Sequence, residues 1–248
     1  VRTVVWEGEA ARPSPIPITP DILVNQLKRD SLLIAESFDS LCGADVLEIS
    51  QLLAETSTII FAGLQDQGRS NRELQLWSCE ILMNVTTSLS AAIYALRAGY
   101  RLVPGVVLRN TVEAMAVCIH GLQEPKDLTR IKAGNFDSPK AISTAKKVIP
   151  PFGELYGFLS NQFAHMGPLH HSMQPLVPYK ARDDDLLVNL RMIRAVAWLL
   201  YVIVEFAFID LVQNLRYWRL ESPNKLVYSR SEAEQQWQKR FLNGPEAA

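Results

Sequence analysis

The sequence predicts an all-α fold, a multi-helix bundle with a long central hydrophobic helix. Helix-capping patterns recur along the chain, and few segments alternate with the two-residue period of a strand. The sequence shows no repeat of about 20 to 50 residues, which argues against a helical solenoid. We therefore expect more than about half of the residues to be helical, and no sheet beyond a short pairing near the N-terminus.

Capping and turn residues locate the individual helices. Ser70 and Glu73 stand three apart, as in a capping box, and open a long helix that Gly99 would close. Pro139 and Pro151 suit the first turns of two later helices. The predicted helices begin, in chain order, near Asp21, Asp45, Ser70, Pro104, Glu124, Ser138, Pro151, Asp183 and Ser231.

The central helix follows the acidic run 183–185, because carboxylates favour a helix N-terminus through the macrodipole. We expect it to continue to about Leu220, after a loop at 167–182. The helix that begins near Pro104 should stop at Gly121. The chain then divides into an N-terminal arm with a Pro-rich connector (1–20), a helical bundle domain (21–220) and a C-terminal extension with one short helix (221–248).

The composition is that of a soluble globular protein that folds without cross-links. Apolar residues make up 48% of the 248 residues and charged residues 21%, which excludes a disordered chain, collagen and a disulfide scaffold. The net charge of -1 provides no overall basic field for nucleic acid. Cys42, Cys79 and Cys118, an odd number among apolar neighbours, predict buried, reduced thiols in a cytoplasmic protein.

Two long apolar runs are interpreted as core helices. Residues 81–96 carry no charge but include five polar side chains, and residues 195–209 are interrupted by Glu205. A membrane span needs about 20 apolar residues, so we expect neither run to cross a membrane. Residues 1–19 also lack the pattern of a signal peptide. We therefore expect a cytoplasmic protein with no membrane partner.

The helix after Pro104 carries a narrow charged stripe on an otherwise apolar surface. Arg109, Glu113 and His120 fall within about 40° of one another at 100° per residue. Buried charges have to be paired, since removal of one partner costs about 3–5 kcal/mol. The stripe is therefore either a structural ion pair that joins helices or a polar site within a helical cleft.

The helix after Pro151 carries a second polar stripe. Glu154, Asn161 and His165 share one face of that helix, and His170 and His171 follow in the loop. Histidine close to carboxylate and amide groups suits general acid/base chemistry. The spacing of the three histidines matches no metal signature, so we expect no metal and no other cofactor.

Two further features need a partner. Glu205 is isolated in the apolar part of the central helix, where Arg109 or Arg194 could neutralise it. Residues 214–240 contain six basic and three acidic residues with aromatic residues between them. Such a segment can hold single-stranded nucleic acid, but it can equally be a solvated surface whose aromatic residues pack inward.

Two short motifs resemble a known group of proteins. Residues 108–113 have the form R-x-x-x-E, and residues 156–165 have the form Y-x-x-L-S-x-x-x-x-H. Together they resemble bacterial all-helical domains of unknown function that are distantly similar to the HEPN superfamily (higher eukaryotes and prokaryotes nucleotide-binding). The resemblance covers residues 70–217.

The resemblance implies a helical bundle, often dimeric, and in many members a metal-independent ribonuclease of a bacterial defence or toxin system. The HEPN motif places an Arg, a polar residue and a His on one helix. Asn161 and His165 match the last two, but residues 158–160 contain no Arg. Arg109 would have to supply the cation from another helix.

The site predicted on this basis combines both polar stripes. His165 would act as general base or acid, and Arg109 would stabilise the pentacovalent phosphate, with Glu113 and Asn161 beside them. The expected partners are RNA and a second copy of the chain. The same residues could instead form a buried polar network that fixes helix register, or line a small-ligand pocket. The residues predicted to bind a ligand are His120, Tyr156, Ser160, His170, His171 and Glu205.

Overall fold

The computed structural model describes residues 20–68, 71–166, 168–171, 176–222 and 225–245, and 77% of these are helical. The predicted all-α, multi-helix fold is therefore confirmed. The predicted N-terminal arm, all of the Pro-rich connector before Pro20, and Ser70 lie outside the described residues.

The elements follow one another in this order. The first helices are α1 (Ile22–Asn25), a π-helical turn (Gln26–Asp30), α2 (Ser31–Gln65), α3 (Arg72–Arg97), α4 (Val103–Gln123), a 3-10 turn (Pro125–Asp127) and α5 (Leu128–Lys132). There follow α6 (Ser138–Val148), α7 (Pro151–Leu159), a second π-helical turn (Ser160–Ala164), α8 (Pro168–His171), α9 (Asp184–Ala207) and a second 3-10 turn (Ile209–Leu211). The chain closes with β1 (Trp218–Ser222), β2 (Lys225–Tyr228) and α10 (Glu232–Asn243).

Helix α9 is the centre of the bundle. Every residue from Val196 to Glu205 is buried, as expected for a helix that is apolar on all sides. Helices α2, α3 and α4 all pack against α9, and α3 lies between α2 and α4. The predicted start of α9 is confirmed, because the side chain of Asp183 accepts a hydrogen bond from the Leu186 N–H.

Two helix boundaries in the first half differ from the prediction. Asp45 begins no helix, because α2 runs without interruption through it and the buried carboxylate is ion-paired with Arg182 and Arg194. Gly121 does not end α4. The ring of Trp77 lies so close that a Cβ at Gly121 would come within 2.5 Å of it, so this glycine serves helix packing.

The predicted end of α9 near Leu220 is wrong by several turns. The helix stops at Ala207, and β1 and β2 pair antiparallel with Trp218 opposite Tyr228, so the short strand pairing of the described chain lies near the C-terminus and not, as expected, near the N-terminus. The buried carboxylate of Glu205 accepts hydrogen bonds from the backbone N–H groups of Arg216 and Tyr217 and so holds the chain after α9 against the helix. The boundary predicted after residue 220 falls inside β1, and α10 beyond it packs on α9.

By length and composition, three helical stretches of the described chain are apolar enough to cross a membrane. These are residues 22–65, α3 and α9. They differ in burial: 72% of the apolar window in α9 is inside the protein, against 28% in residues 22–65 and 39% in α3. The apolar character of α9 is explained by the core, whereas much of that in α2 and α3 faces outward.

Candidate functional site

Arg109, Glu113 and Tyr156 form one closed hydrogen-bonded group, the Arg109 cluster. The guanidinium donates from Nη1 to Oε2 of Glu113 at 3.0 Å and from Nη2 to the hydroxyl of Tyr156 at 3.1 Å. That hydroxyl donates to Oε1 of Glu113, also at 3.1 Å. Each group is thus bonded to the other two, and the cluster joins α4 to α7.

A close approach of two helices creates this cluster. We call α7 and the π-helical turn that follows it, residues 151–164, the α7 segment. A Cβ at Gly105 would overlap Cγ of Phe163, so only glycine allows α4 to touch the end of the α7 segment there. Phe163 is level with Gly105, and Tyr156 is level with Arg109. The two helices therefore run antiparallel, and His165 lies beyond the N-terminal end of α4, away from Arg109.

The Arg109 cluster is partly accessible to water. The side chains of Arg109 and Glu113 are 26% and 23% exposed. Both Nη groups of Arg109 are already engaged, and its buried Nε has no hydrogen-bond partner among the described residues. A phosphate could bind this guanidinium only by displacing Glu113 or Tyr156, so the cluster has the geometry of a helix-joining ion pair.

The structure does not bring the predicted catalytic residues together. Asn161 and His165 are both exposed at the end of the α7 segment. In the described part of the chain, no side-chain hydrogen bond or ion pair links either of them to Arg109 or Glu113. Within the same part of the chain, no group of three or more His, Cys, Asp or Glu side chains could hold a metal.

The remaining ligand-binding candidates near His165 are also dispersed. Ser160 is buried, and its hydroxyl has no hydrogen-bond partner among the described residues. His170 is half-buried in α8. The side chain of His171 lies outside the described part of the chain. These residues do not form a site with Arg109.

His120 belongs to a second closed cluster, two turns along α4 from Glu113. Its buried ring is 2.9 Å from the hydroxyl of Thr144 through Nδ1 and 2.9 Å from Oδ2 of Asp127 through Nε2. Lys140 donates to the same carboxylate at 2.9 Å. The hydrogen bonds from His120 and Lys140 lower the pKa of Asp127 from 3.8 to about 2. This cluster fastens α6 to α4.

Glu205 meets neither of the predicted partners, Arg109 and Arg194. Its carboxylate accepts hydrogen bonds from the backbone N–H of Arg216 and from that of Tyr217, the latter at 3.0 Å. Burial raises the pKa of Glu205 above its ordinary value, while the two backbone donors act against this effect. Its role is to hold the chain that follows α9.

Arg194 anchors a third cluster, which was not predicted from the sequence. Its guanidinium, 1% exposed, binds Asp45 at 2.9 Å, Glu48 at 2.8 Å and the carbonyl oxygen of Phe241 at 2.9 Å. The cluster therefore ties α2, α9 and α10 together. Asp45 falls in phase with the apolar residues that α2 buries, and this signal could have identified it as an inward-facing charge.

Several cations of the basic segment 214–240, and of a second one at 125–147 with six basic and two acidic residues, are paired with carboxylates. Between residues 125 and 147, Lys132 pairs with Glu73 and Lys140 with Asp127. In the C-terminal segment Tyr217 and Trp218 are buried. Tyr228 and Trp237 are half-buried, so the aromatic residues of this segment pack partly or wholly inward, as expected of a solvated surface.

The most unusual exposed surface is the outer side of α2. The α2 stripe, which covers about 120° of the helix, contains only uncharged residues, all of them exposed. They are Ser40, Gly43, Ala44, Leu47, Ser50, Gln51, Ala54, Thr58, Phe61 and Ala62. Leu47 is 60% exposed and Phe61 is 49% exposed. Further large apolar residues are exposed earlier in the same helical stretch: Ile22, Leu23, Val24, Leu27, Leu32 and Leu33.

Helix α3 continues this surface. Its outward residues form the α3 stripe, which is also uncharged and consists of Met83, Asn84, Thr87, Ser90, Ala91 and Tyr94. Both stripes point away from α9, and we call the two together the uncharged face. Charges lie at its borders: Arg97 binds Asp39 at one end, Glu80 is exposed at the other, and Glu48 and Glu55 lie along the flank of the α2 stripe.

No protein-family model matches this chain, and neither a curated protein nor a solved structure shows significant similarity to it.

Proposed function

We propose that this protein is a non-catalytic helical interaction module that binds a partner protein through its uncharged face. The observation that carries the proposal is the α2 stripe, a row of exposed, uncharged side chains that nothing in the described chain covers. Large exposed apolar surfaces are uncommon on soluble monomers and are typical of interaction sites.

The polar clusters support the same proposal. In the Arg109 cluster and the Arg194 cluster, the charged groups bind one another across helix interfaces. Satisfied networks of this kind rigidify a bundle and specify one packing of its helices. The Arg194 cluster in this way fixes α2, one of the two helices of the uncharged face, against α9 and α10.

A photo-crosslinking experiment tests the proposal. A benzophenone amino acid replaces Leu47 in the full chain, and in a control protein it replaces Thr129, an exposed residue of α5. Irradiation in cells is expected to give a specific protein adduct from position 47 and none from position 129. Equal labelling from both positions, or adducts with lipid alone from position 47, would overturn the proposal.

The second candidate is the HEPN-like ribonuclease, in a bacterial defence or toxin system. The observation that favours it is the exposure of Asn161 and His165, one turn apart on the matching segment. The test is an RNA-cleavage assay with a chelator present. We expect no cleavage by the parent protein. Cleavage that is lost in His165→Ala, with the melting temperature unchanged, would replace the interaction module by an enzyme.

A further inference from the structure

We infer that the partner on the uncharged face is a second copy of this chain, with the two α2 helices packed antiparallel about a two-fold axis near Ser50 and Gln51. This inference rests on the proposed function and names its partner. It begins from the distribution of large and small side chains along α2, which matches its own reversed copy.

The α2 stripe is self-complementary when one copy is reversed. About that axis, Leu47 faces Ala54 of the second copy, and Phe61 faces Ser40 of the second copy. The two largest residues of the stripe thus meet small ones, as close packing between helices requires. The stripe residues recur every three to four positions, which is the spacing of a helix–helix seam.

Gly43 gives independent support. It lies within α2, where a glycine destabilises a helix by about 1 kcal/mol relative to alanine. Apart from its chain neighbours and the adjacent backbone of α2, no atom of the described chain lies within 4 Å of the position where its Cβ would stand, so packing within one copy does not require it. In the antiparallel pair Gly43 faces Thr58 of the second copy, next to Phe61, and the missing Cβ leaves room for them.

Helix α3 fits the same two-fold axis. Asp39 contacts Arg97 and Ile60 contacts Cys79, so α2 and α3 run antiparallel and the middle of the α2 stripe is level with Thr87. Thr87 would then face its own counterpart. With this register Met83 faces Ala91 of the second copy, and Tyr94 faces Glu80 of the second copy.

The charges around the α2 stripe are compatible with pairing. Glu48 and Glu55 lie on one flank, and both are already bound to arginines of their own copy: Glu48 to Arg194 and Arg240, and Glu55 to Arg216. The hydroxyls of Thr58, Thr87 and Ser90 already donate to carbonyl oxygens of their own helices. Lipid is nevertheless a less suitable occupant, because hydrocarbon offers no partner for the exposed amide side chains of Gln51 and Asn84.

The area is sufficient for a stable dimer. The stripe from Ser40 to Ala62 is about 33 Å long at 1.5 Å per residue, and two helices about 10 Å apart make the face about 20 Å wide. Each copy would bury about 650 Å², or about 1,300 Å² for the pair, which lies within the range of about 1,200–2,000 Å² found for specific interfaces.

Cysteine cross-linking of the full chain tests the axis. The native thiols are buried, and burial raises the pKa of Cys42 to about 11 and that of Cys118 to about 12, so introduced cysteines should react selectively. Gln51→Cys should form a disulfide dimer on mild oxidation, whereas Thr129→Cys should not. Ser40→Cys and Phe61→Cys should each stay monomeric on reducing-agent-free gels but cross-link when mixed.

A substitution at the seam tests the interface without new thiols. Gly43→Leu should leave the circular dichroism spectrum unchanged and raise the dimer dissociation constant about tenfold or more, measured by sedimentation, because the added side chain overpacks the contact. Thr129→Leu, at an exposed position of α5 away from the uncharged face, is the control.

The outcomes separate this inference from the proposed function. A parent protein that sediments as a monomer at high micromolar concentration, or a Ser40→Cys variant that cross-links with itself, overturns the antiparallel dimer. If position 47 then photo-crosslinks to a different protein, the interaction module stands and only its partner changes. If the parent floats with phosphatidylcholine–phosphatidylglycerol vesicles and yields no protein adduct, both are overturned.

Discussion

The two sides of α2 differ in where they carry charge. The side that faces the bundle is mostly apolar but buries Asp45, which binds Arg194 and Arg182. The outward α2 stripe carries no charge from Ser40 to Ala62, and Glu55 is exposed on its flank. In a surface helix of a soluble protein, charged residues usually face water and apolar residues face the core. The inner side is held by apolar packing and by the ion pairs of Asp45, and the α2 stripe is the surface that we propose a partner covers.

The largest expected effect comes from breaking the inner ion pair. Asp45→Ala leaves the guanidinium of Arg194, which is 1% exposed, without one of its carboxylates, and should lower the free energy of unfolding by about 3–5 kcal/mol. Glu36→Ala, an exposed carboxylate on the outer side of the same helix, should change it by less than about 0.5 kcal/mol. Urea denaturation of the three proteins measures the difference, and similar losses from both variants would contradict the contrast between the two sides.

Two glycines of α2 provide a matched comparison of packing. At Gly63, on the inner side, an added Cβ would lie 2.5 Å from the ring of Phe208, so Gly63→Ala should destabilise the protein by about 1–3 kcal/mol. At Gly43, on the outer side, the same change meets open space and should stabilise a single copy by up to about 1 kcal/mol. The measurement is urea denaturation at a protein concentration low enough to keep the chain monomeric. Destabilisation of the monomer by Gly43→Ala would show that this side is packed within the chain.

Much of the fold could be predicted from the sequence because it depends on local signals. The cap at Asp183 and the apolar pattern of α9 predicted the start and the central position of that helix. The path of the chain after α9 could not be predicted in this way, because it involves hydrogen bonds that Glu205 accepts from the backbone N–H groups of Arg216 and Tyr217. No local residue pattern encodes such a contact.

In the candidate site, too, contacts within one helix could be predicted from the sequence, whereas contacts between helices could not. The pairing of Arg109 with Glu113 follows from their spacing on one helix and is present. The assembly of Arg109 with His165 required a particular packing of α4 against the α7 segment, and the antiparallel contact at Gly105 places His165 elsewhere. The third member of the cluster, Tyr156, was predicted to bind a ligand but binds Arg109 and Glu113 instead.

Breaking the Arg109 cluster should lower the free energy of unfolding by an amount between those expected for the inner and the outer side of α2. Its side chains are about one-quarter exposed, so Arg109→Ala should cost about 1–3 kcal/mol, the range for hydrogen bonds to charged groups. His165→Ala should change the free energy of unfolding by less than about 0.5 kcal/mol, because the side chain is exposed at a helix end. Thermal melting of both variants gives the comparison. A large loss from His165→Ala would mean that this residue has a packing role that its exposure does not suggest.

The smallest and most specific effect concerns pH and the cluster around His120. The pKa of Asp127 is lowered from 3.8 to about 2, so the folded state favours the ionised carboxylate. Its contribution to stability is complete above about pH 4 and is lost as the pH falls towards about 2. Asp127→Asn lacks this titration but keeps the shape of the side chain. The urea midpoint of the parent should therefore exceed that of the variant at pH 5, and the difference between the two midpoints should narrow by pH 2.5.

Other carboxylates bound to arginine, such as Asp39, titrate in the same direction in both proteins, so their effects cancel in the comparison. A gap that stays constant between pH 5 and pH 2.5 would show that the carboxylate holds α6 to α4 by shape and hydrogen bonding alone, without its charge.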